Sequence, residues 1–154
     1  MKNRSADDEL PIPSKCIINI SSLLALKGGT GTVPYAASKA GILGLTRSLT
    51  VEASKTLRNQ IIRSNAIVPG YIATPMIAGM SLWFFSFLIL CRELSLTTPE
   101  CIDFSHTENE KLKEEIPLRR FGQPHEVADA AVFLAQNEYA NNCVINLDGG
   151  LSAL

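Results

Sequence analysis

Three short runs of aliphatic and β-branched residues punctuate this chain and constrain its fold more than any other feature. They are K-C-I-I-N-I, I-I-R-S-N-A-I-V and C-V-I-N-L. Each is flanked by turn-forming or polar residues and reads as a buried strand. The first covers about Cys16 to Ile20 and the second Ile61 to Val68; the third runs into the turn Asp148-Gly149-Gly150. Longer stretches with helical pattern lie between them. The order strand, helix, strand, then helix, strand points to an α/β protein with a parallel sheet. Each crossover is expected to be right-handed.

The stretch S-L-L-A-L-K-G-G-T-G-T after the first run reads as a loop, with glycines at Gly28, Gly29 and Gly31. A helix is predicted from about Pro34 to Leu57, with proline tolerated in its first turn. Ile42, Leu45 and Leu49 recur at helical spacing and predict its buried stripe. Ala37, Gly41 and Gly44 form a small-residue strip that predicts close packing. A short helix is expected near Asn109 to Glu115. I-P-L-R-R-F-G-Q-P then reads as a connection, and H-E-V-A-D-A-A-V-F-L-A-Q as an amphipathic helix with Val127, Ala130, Ala131 and Leu134 on one face.

Composition narrows the function classes. At 154 residues the chain fits one domain, and 46% hydrophobic residues argue against global disorder. A net charge of −1 provides no basic footprint for nucleic acid. The cysteines Cys16, Cys91, Cys101 and Cys143 are scattered without a C-x-x-C pair and read as reduced thiols, and no metal site is expected. His106 and His125 read as surface residues.

Residues 1–14 read as a flexible lead into a domain spanning 15–154. The lead lacks the apolar core of a secretory signal, and its acidity argues against a mitochondrial transit peptide, so a cytoplasmic location is expected, with a mitochondrial one left open. The segment 81–108 reads as an atypical insertion. Its apolar part, S-L-W-F-F-S-F-L-I-L-C, falls short of the roughly 18–20 residues that span a bilayer. It reads as an insertion that the fold tolerates poorly, with a lid over an acyl chain or a membrane attachment as lesser alternatives.

The chemistry concentrates in V-P-Y-A-A-S-K-A-G. Tyr35 and Lys39 stand four residues apart, so they share one helix face. An ammonium beside a phenol favours the phenolate, which suits the phenol to proton exchange with a carbonyl or alcohol oxygen. Ser22, thirteen residues upstream of Tyr35, ends the first strand, and ligands of parallel sheets bind at strand ends. Its hydroxyl suits the task of holding that oxygen. A lone Tyr-x-x-x-Lys pair would be weak evidence; further motifs agree with it in order and spacing.

I-I-N-I-S-S, Y-A-A-S-K-A-G, N-A-I-V-P-G-Y-I-A-T-P-M, I-P-L-R-R-F-G-Q-P-H-E-V-A-D-A-A-V-F-L-A and V-I-N-L-D-G-G together resemble the short-chain dehydrogenase/reductase family, in particular its 3-oxoacyl-acyl-carrier-protein reductase branch. The resemblance covers about Lys15 to Met80 and Ile116 to Gly150. It implies the C-terminal half of a doubly wound, Rossmann-type parallel sheet, with three strands and their helices. It also implies that Ser22 orients the substrate carbonyl, that Tyr35 is the acid in reduction, and that Lys39 tunes Tyr35 and bonds the nicotinamide ribose. Pro69, Gly70, Ile72 and Thr74 would line the nicotinamide side, Ile72 through its backbone. A plain turn after the strand is the lesser alternative for Pro69-Gly70, and Asp148-Gly149-Gly150 reads as structural. The cofactor implied is NADP, with NAD the alternative. The substrate implied is a small molecule or acyl thioester, and the family suggests a homo-oligomer.

Several family elements have no counterpart here, the Asn-Asn-Ala-Gly segment and the asparagine of the helix before the serine strand among them. The opening strand and T-G-x-x-x-G-x-G turn that hold dinucleotide phosphates do not occur. On the family's order the chain starts at the fifth strand, and on the order of 100 residues would precede it at about 25–30 per strand–helix unit. Two functions remain open. One is an NAD(P)H-dependent oxidoreductase that interconverts a carbonyl and a secondary alcohol, with 3-oxoacyl thioesters of fatty acid metabolism as substrates. The other is an inactive remnant that lacks the dinucleotide half and pairs with a full-length relative.

Overall fold

A computed structural model of the chain describes residues 14–56, 60–75 and 109–154. The apolar segment 81–91, the rest of the insertion and residues 1–13 of the lead lie outside the described residues. The three apolar runs form one parallel sheet in the order β1-β2-β3: β1 is Ser14–Ile20, β2 is Ile61–Pro69 and β3 is Val144–Leu147. Ile18 stands opposite Asn65, and Ile67 opposite Ile145. The doubly wound α/β architecture expected from the sequence is therefore present.

The central strand β2 is buried without a break from Arg63 to Val68. Unbroken burial means that both faces are covered, as in parallel sheets flanked by helices. Helix α2 (Val33–Thr56) packs on one face, where Leu43 meets Ala66 and Val68. Helix α3 (Pro124–Gln136) closes the other over β1 and β2. Leu134 is its fully buried residue, and Val127, Ala130 and Ala131 are partly buried on the same stripe, as the periodicity predicted. Residues 109–115 are helical, also as expected.

Helix α2 corrects two expectations. Its buried positions are Leu43 and Thr46, whereas Leu45 is half exposed. The reason is that the sheet face beneath is polar. Asn19 Nδ2 donates to Thr46 Oγ1 (3.0 Å) and to Ser64 Oγ (3.4 Å), and Thr50 Oγ1 donates to Ser64 C=O (3.3 Å). Buried polar groups need partners, so Thr46 and Thr50 face this part of the sheet beside Leu43. The small-residue strip does not produce close packing either. A Cβ at Gly41 or Gly44 would meet no atom within 4 Å.

The expected loop after β1 contains a single helical turn, α1 (Leu24–Lys27), which Gly28 ends at φ +71°. That backbone region favours glycine. Beyond the strand ends, Leu23, Ile116 and Leu151 form a second core cluster with Tyr71 and Phe121 against it. This cluster joins the end of β1 to the C-terminal segment. Among the described residues, no helix is long and apolar enough to cross a membrane.

Candidate active site

The end of β1 and the start of α2 meet through two bonds. Buried Ser21 donates its hydroxyl to Lys39 C=O at 2.7 Å, and Lys39 Nζ donates to Ile20 C=O at 3.1 Å. These contacts fix the first turns of α2 over the strand end that leads to Ser22. Leu23 N–H then donates to Pro69 C=O at 2.8 Å, which ties the residue after Ser22 to the end of β2.

Tyr35 and Lys39 do share a face. Lys39 Nζ lies 5.7 Å from the centroid of the Tyr35 ring. Tyr35 is 43% exposed, and among the described residues its hydroxyl makes no hydrogen bond. Ser22 Oγ accepts from Leu24 N–H at 3.2 Å, and its own proton has no acceptor among the described residues. Tyr35 and Ser22 are not hydrogen-bonded to each other. The structure thus brings Lys39 against Tyr35 and the end of β1, and leaves the Ser22 and Tyr35 hydroxyls free to donate.

Pro69 and Gly70 have a packing role whatever else they do. Gly70 N–H donates to Leu147 C=O at 2.9 Å, and a Cβ on Gly70 would sit 2.8 Å from both Cα and Cβ of Asp148. Backbone this close admits only glycine. Tyr71, Ile72 and Ala73 then run beside Gly122, with Ile72 and Gly122 in a parallel bridge. Thr74 is partly buried, just before the helical residue Pro75. Burial, with a contribution from Glu115, pushes the Tyr71 phenol above its ordinary value.

The Asp148 turn is structural, as expected. Its carboxylate accepts from Gly150 N–H and Ser152 N–H, each at 2.9 Å. Partial burial alone would raise its pKa; the hydrogen bonds from Ser152 and Gly150 outweigh that and hold it below the ordinary value. A groove of about 490 Å³ opens beside this turn, lined by Tyr71, Ile72, Leu118, Arg120, Asn146 and Asp148 among others. Of the expected site residues only Ile72 reaches it.

Sequence reasoning missed the clasp at the start of α3. Arg120 Nη2 and Nη1 bond Glu126 Oε1 and Oε2 at 2.6 and 2.8 Å, and Gln123 N–H donates to Glu126 Oε2 at 2.7 Å. These bonds hold the Glu126 carboxyl down to about 2. A glutamate three residues after the cap of a helix is a readable signal of this arrangement.

Comparison with known proteins agrees with this fold. The model of the short chain dehydrogenase family matches residues 14–83. The 3-oxoacyl-acyl-carrier-protein reductase FabG of Chlamydia muridarum is 38% identical over 90% of this chain and 46% of its own length. The chain belongs to the short-chain dehydrogenase family. Among solved structures, the ligand-free aldohexose dehydrogenase of Thermoplasma acidophilum is similar with a TM-score of 0.72 and 27% identity, over 90% of this chain and 48% of that one. A Beutenbergia cavernae protein, described as an NAD(P) dependent gluconate 5-dehydrogenase with NADP bound at low occupancy, is similar with a TM-score of 0.68 and 29% identity, over 92% and 47%. The chain spans about half the length of these relatives.

Proposed function

We propose that this chain carries the nicotinamide- and substrate-facing half of an NAD(P)H-dependent oxidoreductase that interconverts a carbonyl and a secondary alcohol, with a 3-oxoacyl thioester as substrate and NADP as cofactor. The observation that carries the reading is an exposed Tyr35 hydroxyl, without a hydrogen-bond partner among the described residues, close to the Lys39 ammonium at the end of a parallel strand. The donor set fits the nicotinamide end of such a cofactor. Lys39 offers an ammonium, and Ile72 offers a backbone N–H and C=O with no partner among the described residues to a carboxamide, which itself has one acceptor and two donors. When bound, a reduced nicotinamide supplies a hydride. The Ser22 hydroxyl donates to the carbonyl oxygen and holds it. Tyr35 releases its proton to that oxygen as negative charge develops there, and the Lys39 ammonium stabilises the phenolate that remains. The names of the Chlamydia reductase and of the NADP-bound Beutenbergia protein support the substrate class and the cofactor.

The test is NADPH binding by the purified chain, followed by oxidation of NADPH on an acetoacetyl thioester, with NADH in parallel. Turnover that falls about 10²-fold or more in Tyr35→Phe supports the reading, as expected for loss of a general acid. Absence of binding and turnover with both nucleotides refutes it.

A second reading has one observation in its favour. Strand β1 lies at the sheet edge with Ile17 and Ile20 exposed. An apolar edge favours pairing with another chain. On that reading the chain binds no cofactor by itself and pairs with a full-length relative.

A further inference from the structure

Residues Tyr71 to Ala73 lie outside the main sheet yet are held in strand register. Gly122 N–H donates to Tyr71 C=O at 2.9 Å, and Ala73 N–H donates to Gly122 C=O at 2.8 Å. In a parallel bridge of this kind Gly122 uses both of its backbone groups and Ile72 uses neither, because successive residues present theirs to opposite edges. The Ile72 N–H and C=O therefore face away from Gly122. Among the described residues neither has a hydrogen-bond partner. The approach is close: a Cβ on Gly122 would lie 2.7 Å from Ile72 Cδ1.

Gly122 is itself clasped on both sides. Before it, Arg120 Nη1 donates to Phe121 C=O at 3.1 Å. After it, Gln123 N–H donates to Glu126 Oε2. The bidentate pair between Arg120 and Glu126 links the two contacts, so residues 121–123 are bracketed by one fork-to-fork ion pair. The Phe121 ring lies 6.0 Å from that of Tyr71, on the same loop.

We propose that Arg120, Glu126 and Gly122 are positioning residues that turn the Ile72 backbone outward, so that its N–H and C=O meet the carboxamide of a nicotinamide. This rests on the cofactor reading above. None of the three touches the cofactor; each acts through Ile72.

Residue-resolved amide hydrogen exchange tests it, on the whole chain and on Glu126→Ala, Glu126→Gln and Arg120→Gln. In Glu126→Ala the Ala73 and Gly122 amides are expected to exchange about three- to tenfold faster, the scale for losing charge-assisted bonds at an exposed site. Glu126→Gln, which keeps a neutral acceptor for Gln123 N–H, falls between it and the wild type. Ala66 and Ile67 in β2 stay unchanged. NADPH dissociation constants rise in the same order. Unchanged exchange at Ala73 and Gly122, or equal acceleration in β2, overturns the proposal. A wild-type chain that binds no NADPH refutes the cofactor reading, while the exchange pattern still decides whether the clasp positions the loop.

Discussion

Replacing Arg63 with methionine removes the one guanidinium buried in the sheet of the described residues. Arg63 is 3% exposed and has no carboxylate partner among the described residues. Its charge is met by carbonyls at and beyond the C-terminus of α3: Leu134 at 2.7 Å, Ala135 at 2.8 Å, Asn137 at 2.9 Å and Ala140 at 3.1 Å. Nε donates to Ser14 Oγ at 2.9 Å. Leu134 and Ala135, in the last turn, have no helical N–H left to bond their carbonyls, and the macrodipole makes that end favour a cation. Methionine fills much of the volume but takes a donor from each carbonyl: Asn137 C=O keeps Ala140 N–H, Ala140 C=O keeps Asn65 Nδ2, and Leu134 C=O keeps only the weak Cys16 thiol. The bond to Leu134 is fully buried and costs about 1.5–3 kcal/mol to lose, as a bond to a charged donor. The part-buried ones regain water and cost less, which brings the total to about 3–5 kcal/mol. Arg63→Lys keeps the charge but not the planar fork, and is expected to cost about 1–2 kcal/mol. Urea unfolding followed by circular dichroism reads the difference as a midpoint shift of about 2 M for methionine, for a slope near 2 kcal/mol per M. A methionine variant within about 1 kcal/mol of the wild type, or a lysine variant as damaged as methionine, would refute the reasoning.

Two further outcomes follow from single contacts. Gly70→Ala places a methyl group against the Asp148 backbone and is expected to cost about 1–3 kcal/mol in the same unfolding assay, whereas Gly44→Ala, with open space around it, is expected to be neutral or slightly stabilising. The Glu126 carboxyl drops from 4.5 to about 2 on folding, so the stability it contributes is present above pH 4.5 and is lost as pH falls toward 2; Glu126→Gln should lower the melting temperature at neutral pH, flatten its dependence on pH across that window and converge with the wild type toward pH 2.

The parts of this fold that were legible in the sequence are those written in local pattern. The strands declare themselves because residues such as Ile17, Ile18, Ile67 and Val68 cluster in short runs, and α3 because Val127, Ala130, Ala131 and Leu134 repeat at helical spacing. Tyr35 and Lys39 were legible because one helix turn brings them together. The buried face of α2 was not. Thr46 is buried because Asn19 and Ser64, distant in sequence, demand a hydroxyl there. The burial of Arg63 was not legible either, since nothing local shows that a helix end more than 70 residues later supplies its acceptors. The bridge from Ile72 to Gly122 was hidden for the same reason. Long-range pairing of polar groups leaves no periodicity to read.

The most direct test of the central claim is a residue-resolved titration of the isotope-labelled chain with NADPH. Shifts should concentrate on the Lys39, Ile72 and Thr74 signals, with Ile72 N–H moving more than Ala73 N–H, which is already bonded to Gly122. No shifts, or shifts confined to the groove around Leu118, Asn146 and Asp148, would contradict the claim that these residues form the nicotinamide side of an oxidoreductase site.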